Sequence, residues 1–142
     1  MQTVTEQGLQ ELKEQLLRYE GLSLTAYKCT QGKLTIGIGR NLIDKGISLE
    51  EAHYLLNNDI AETLAQVNSR IAIFTIINEP RKLVLLDMAF NLGVAGLCKF
   101  KNMIAALERQ DYQKAADEML DSRWARQVGQ RAQDLARKMV EG

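Results

Sequence analysis

Residues 19–41, YEGLSLTAYKCTQGKLTIGIGRN, constrain the fold more than any other stretch. Leu9, Leu12, Leu16 and Leu17 recur on one helical face up to Glu20, where Gly21 can supply the C-terminal cap. Thr5 is placed to cap the start of that helix, with Val4 and Leu9 set for a hydrophobic staple. Two strand-like runs follow, joined by a turn at Thr30-Gln31-Gly32. The second run, Lys33 to Ile38, leads into the paired glycines Gly37 and Gly39. One acid at a helix end therefore sits beside a hairpin that carries Cys29 and Thr35. A helix end facing a hairpin makes a concave corner. Glycines without a Cβ let a ligand lie close to the backbone there.

Beyond the hairpin, Leu42 to Ile47 reads as a loop, and Ser48 with Glu51 forms a capping box. A long helix is expected to about Ser69, burying Ala52, Leu55, Leu56, Ile60 and Leu64. About 20 helical residues span about 30 Å, enough to join two lobes. Ile71 to Ile77 reads as a short buried helix or an irregular connector. Pro80 suits the first turn of a helix running to Leu92 and ended by Gly93. That helix is apolar nearly all round, which predicts the central buried helix. Shorter helices are expected over Lys101–Arg109, Asp111–Asp121 and Gln130–Val140, with a turn of helix at Ser122–Gln127 holding Trp124.

The 142 residues suffice for one domain with its own core. Lys and Arg total 18, as do Asp and Glu, so no overall basic footprint for nucleic acid exists. No apolar run approaches a membrane span, and Met1 to Thr5 does not read as a signal peptide. Synthesis in the cytosol without membrane insertion is the expectation, as is a monomer. Cys29 and Cys98 are the only cysteines, a poor disulfide framework in a cytosolic chain. Cys29 is therefore expected to be a free thiol. With one histidine and no Cys or His spacing of the zinc type, neither a metal nor a cofactor is expected.

An isolated glutamate at a helix end is ordinarily a solvated acid. Thr35 alone is a common strand residue, and Cys29 alone a small packed one. Their spacing inside EGLxLxAYxCxxGxxTIGIG changes that reading. With this motif the chain resembles the phage lysozymes of glycoside hydrolase family 24, which carry a Glu, an Asp (sometimes Cys) and a Thr so spaced. Farther on, LLNNDIAETL resembles the family's interlobe helix and RKLVLLDMAFNLGVAG its central helix. SRWARQVGQRA resembles the segment that returns to the active site. The resemblance implies an α+β, mostly helical, lysozyme-like fold in one domain, 1–142. A small β-hairpin lobe would cover about 20–50 and a long interlobe helix about 49–69. A larger helical lobe would cover about 70–142 plus the N-terminal helix. Compared with the T-even type, Leu42 to Ile47 is a much shorter loop, so the small lobe should lack a helix.

Glycosidic cleavage needs an acid for the leaving oxygen and a second group for water or the developing cation. Glu20 is the natural acid, and the Thr35 hydroxyl can position a water. Cys29 stands where most of the family has Asp, as base, nucleophile or water-positioning group. A free thiol titrates near about 8.5, so only a few per cent is thiolate at neutral pH. Position by position, the resemblance gives Arg131 as partner of the catalytic glutamate and Phe90 and Asn91 as a cleft-lining pair. It gives Arg40 and Asp59 as a structural ion pair, while Gly37 and Gly39 lie where substrate would pass. The implied function is that of an endolysin, a muramidase cutting the β-1,4 bond between N-acetylmuramic acid and N-acetylglucosamine in peptidoglycan. Made in the host cytoplasm, it would depend on a holin lesion to reach the wall. The rival is a catalytically silent peptidoglycan-binding or virion structural module with the same fold.

Overall fold

The structure, a computed structural model, describes residues 4–142. The reading of Met1 to Thr5 as no signal peptide rests partly on residues 1–3, outside the described residues. The chain is α+β and mostly helical. It divides into two compact units, Met1–His53 and Tyr54–Gly142.

The first unit begins with helix α1, Glu6–Glu20. The Thr5 hydroxyl accepts the Gly8 N–H at 3.0 Å and caps its start. Gly21, at φ +71°, closes its end by donating its N–H to the Leu17 carbonyl at 2.9 Å. No residue of α1 is buried, so Leu9, Leu12, Leu16 and Leu17 form a half-exposed apolar face. Strands β1 (Ser23–Lys28), β2 (Leu34–Gly37) and β3 (Arg40–Asn41) make an antiparallel sheet in that order. Tyr27 pairs with Thr35, and Thr35 in turn with Asn41, so Thr35 occupies the central strand and is buried. The register slips between Ser23 and Tyr27, a bulge that bends β1. No helix forms in the loop after β3. There the Asn41 side-chain oxygen accepts the N–H groups of Ile43 and Asp44, each at 3.0 Å.

Helix α2, Leu49–Arg70, starts at the expected capping box. Ser48 Oγ accepts the Glu51 N–H at 3.1 Å, and Glu51 Oε1 accepts the Ser48 N–H at 2.8 Å. The division between the units falls inside this helix. Its expected buried face is not buried: only Val67 is, while Ala52 is partly exposed and Leu55, Leu56, Ile60 and Leu64 more so. The cause is local for two of them. Leu56 and Ile60 line an open groove of about 340 Å³ with Leu83, Leu86 and Phe90 instead of entering a closed core.

In the second unit a 3-10 turn, Ala72–Thr75, lets Ile71, Phe74 and Ile77 reach the core. Helix α3, Glu79–Cys98, follows, capped by Asn78 with Pro80 in its first turn. Gly93, at φ +78° and ψ 157°, interrupts it where the sequence predicts its end. Helices α4 (Lys101–Glu108), α5 (Tyr112–Leu120), α6 (Arg123–Val128) and α7 (Gln130–Glu141) complete the unit. Val84, Leu85 and Met88 of α3 meet Met103, Leu107, Met119 and Met139 in one core. Each such side chain contributes about 1.5–3 kcal/mol by its burial. The apolar run of α3 does not wrap wholly into that core. Leu83 and Phe90 stay about half exposed on the side of the 340 Å³ groove.

Candidate active site

The first unit carries Glu20, Cys29, Thr35, Gly37, Gly39 and Arg40. Glu20 is the last residue of α1, and the Gly21 cap turns the chain from it into the sheet. Its side chain lies against the backbone of Gly39, in the turn between β2 and β3 at φ +71°. A Cβ added to Gly39 would stand 2.8 Å from Glu20 Cδ and 3.0 Å from Cγ, and closer still to Oε2. The space next to Gly39 is therefore filled by the acid. Gly37 has the same φ, yet a Cβ there would meet nothing within 4 Å.

Cys29 leaves β1 into the tight turn. Its N–H donates to the Lys33 carbonyl at 2.9 Å, and the Gly32 N–H donates to the Cys29 carbonyl at 2.8 Å. That turn aims backbone N–H groups at the thiol. Those of Lys33, first, and Gln31 lower its pKa below the ordinary range, burial opposes them, and the Thr35 hydroxyl adds to the lowering. The Thr35 hydroxyl also lies 3.0 Å from the Lys33 carbonyl. Its single proton serves either the carbonyl or the thiol, and its oxygen retains acceptor capacity for a water. Cys29 and Thr35 thus share one corner of the hairpin, and neither Cys29 nor Cys98 is in a disulfide.

The expected partner of Arg40 is corrected. The carboxylate it holds is Glu51, with Nη2 2.8 Å from Oε2 and Nη1 2.9 Å from Oε1. The short loop sets Arg40 beside the first turn of α2, where Nη1 also donates to the Gly46 carbonyl at 3.2 Å. Asp59 lies eight residues farther along the same helix, about 12 Å at the α-helical rise.

The second unit carries Asp59, Phe90, Asn91 and Arg131. Phe90 and Asn91 are consecutive on α3 and so point about 100° apart. Phe90 lines the apolar groove with Leu56 and Ile60. Asn91 instead accepts the Trp124 indole N–H at 2.8 Å. Trp124 is buried, edge-on to Phe100 at 6.1 Å, and both line a second groove of about 640 Å³. Arg131 joins Phe90 at the first groove and binds Asp87, with Nη2 2.6 Å and Nε 2.8 Å from Oδ1. Asp87 and the Asn91–Trp124 bond were not anticipated. An acid inside the apolar run from Leu83 to Phe90 was the available signal for Asp87.

The family described as phage lysozyme matches residues 17–141, a span that runs from before Glu20 to beyond Arg131. The chain belongs to the phage lysozyme family. It is 30% identical over 151 residues to probable T4-type lysozyme 2 of Dictyostelium discoideum, covering 85% of this chain and 88% of that protein. It is 32% identical over 126 residues to an endolysin of Acyrthosiphon pisum secondary endosymbiont phage 1, covering 87% and 80%. A third relative, the pre-baseplate central spike protein Gp5 of Enterobacteria phage T4, is 29% identical over 159 residues. The match covers 92% of this chain but only 28% of the spike protein's length. Phage lysozymes are glycoside hydrolases, and this chain is one by family.

Proposed function

We propose that this phage lysozyme is a muramidase that hydrolyses the β-1,4 bond between N-acetylmuramic acid and N-acetylglucosamine in peptidoglycan. The observation that carries the reading is the pairing of two features in the first unit. Glu20 is seated on Gly39, and the hairpin turn that follows β1 stabilises the Cys29 thiolate next to Thr35. Glu20 gives its proton to the glycosidic oxygen as the bond from the anomeric carbon breaks. A water held by the Thr35 hydroxyl adds to that carbon, and the Cys29 thiolate takes its proton. The role is lysis of a bacterial host. The protein is made in the cytoplasm and meets the wall after a holin opens the membrane. No single helix among the described residues is long and apolar enough to cross a membrane.

A turbidity assay on outer-membrane-permeabilised Gram-negative cells tests the reading. Wild-type protein should clear the suspension, and Glu20→Gln should lose clearing by orders of magnitude with an unchanged circular dichroism spectrum. The spike-protein relative favours a second reading, a silent wall-binding or virion structural module. Folded wild-type protein that binds peptidoglycan without clearing cells would decide for it.

A further inference from the structure

Gly37 and Gly39 bracket the end of β2, and both have φ +71°. Both positions hold a positive φ that an alanine adopts only with strain. Their surroundings differ. At Gly37 an added Cβ enters open space, whereas at Gly39 it enters the Glu20 side chain. Carbon atoms in contact stand about 3.5–4.0 Å apart, so 2.8 Å to Cδ is a collision. The colliding group is the far end of a flexible side chain, which relieves the clash by rotating away.

We propose that Gly39 is a positioning residue for Glu20: its missing Cβ is the seat of the carboxylate. The hydrogen at that position lets the acid lie flat on the strand end. Any side chain there lifts it out of place. The catalytic part of this inference rests on Glu20 being the acid of the proposed reaction, while the geometric part stands without it. A misplacement of about 1 Å costs a catalytic group about 100-fold in rate.

Crystal structures of wild type, Gly39→Ala and Gly37→Ala give the geometric readout. In Gly39→Ala the Glu20 carboxyl should move by more than about 1 Å, the scale of the overlap, and in Gly37→Ala it should stay. An unmoved carboxyl in Gly39→Ala, or an equal movement in both variants, would overturn the proposal. Kinetics on soluble peptidoglycan oligosaccharides give the second readout. Gly39→Ala should lower kcat about 100-fold while KM changes little, since substrate contacts away from the acid remain. A carboxyl that moves with no change in kcat would overturn the positioning role. The Glu20→Gln assay separately decides whether Glu20 is the acid at all. Should Gly39→Ala not fold, trimming the acid decides. Glu20→Ala/Gly39→Ala should regain folding, as Glu20→Ala/Gly37→Ala does, because the collision is gone. A double variant that still fails to fold would overturn the inference.

Discussion

Arg40 grips Glu51 with both terminal guanidinium nitrogens, and the same carboxylate closes the capping box of α2 through the Ser48 N–H. One acid thus ties the end of the sheet to the start of the long helix. A bidentate, charge-assisted pair of this kind is more directional than a Lys pair at the same place.

The pH dependence of that tie has a definite sign. Glu51 is pulled down to about 2, first by Arg40 and then by the Ser48 N–H and hydroxyl. Its folded pKa is depressed from an ordinary 4.5, so its contribution is complete above about 4.5 and disappears as pH falls toward about 2. Arg40 stays charged throughout. The denaturation midpoint of wild type should therefore drop between pH about 5 and 2 by more than that of Glu51→Gln. Equal acid sensitivity in the two proteins would contradict the assignment.

Asp87 and Arg131 are both partly exposed, so their ion pair should matter little for folding. Asp87→Asn and Arg131→Ala should show a stability coupling of about 0–1 kcal/mol in a double-mutant cycle. A coupling of several kcal/mol by urea denaturation would show that the pair is part of the fold's support.

Arg81 is a stronger case. It is buried, with Nε 2.7 Å from the Met139 carbonyl, Nη2 2.9 Å from that of Val140, and its guanidinium over the Tyr112 ring at 3.4 Å. A cation there caps the last carbonyls of α7 and complements its dipole. Arg81→Met should cost about 2–4 kcal/mol, by loss of charge-assisted bonds to otherwise orphaned carbonyls. Arg81→Lys should recover only part, since one ammonium cannot serve both carbonyls in the same fork geometry. A loss below about 1 kcal/mol in Arg81→Met, the scale of an ordinary surface change, would rule out the cap.

These cases mark what was legible in the sequence. Thr5, Gly21, Gly32 and the Ser48–Glu51 box act through neighbours three or four residues away, so local chemistry was enough to place both ends of α1, the start of α2 and the hairpin turn. Arg40, Arg81 and Arg131 find their partners 11, 58 and 44 residues away, which only the packed chain determines. Arg81 in particular sits in a helix read as apolar, and nothing in the spacing marked it for burial. The exposed stripe of α2 shows the converse. Periodicity identified a shared face in Leu56, Ile60 and Leu64, but a shared face is not yet an enclosed one. The motif singled out Glu20, Cys29 and Thr35 by spacing alone, whereas the contact between Glu20 and Gly39 depends on how the sheet closes.

Cys29 gives the sharpest chemical test. Backbone N–H groups of Lys33 and Gln31 stabilise its thiolate, and side-chain substitutions leave those donors in place. In a Cys98→Ala background, alkylation by iodoacetamide should rise with pH along a limb below the ordinary thiol range. Thr35→Val should move that limb only slightly upward, because its hydroxyl is a lesser cause than the backbone donors. If the thiolate takes the water's proton, lytic activity should follow the same limb. Cys29→Asp should shift it several units lower, since free Asp titrates near about 3.9. Alkylation should abolish lysis, but added bulk alone can block a site, so Cys29→Ser decides. A hydroxyl of similar size does not ionise in this range, and its lysis should fall sharply at every pH. Full activity in Cys29→Ser would remove the thiol from the mechanism and leave Glu20 with a water held by Thr35 to cleave the bond.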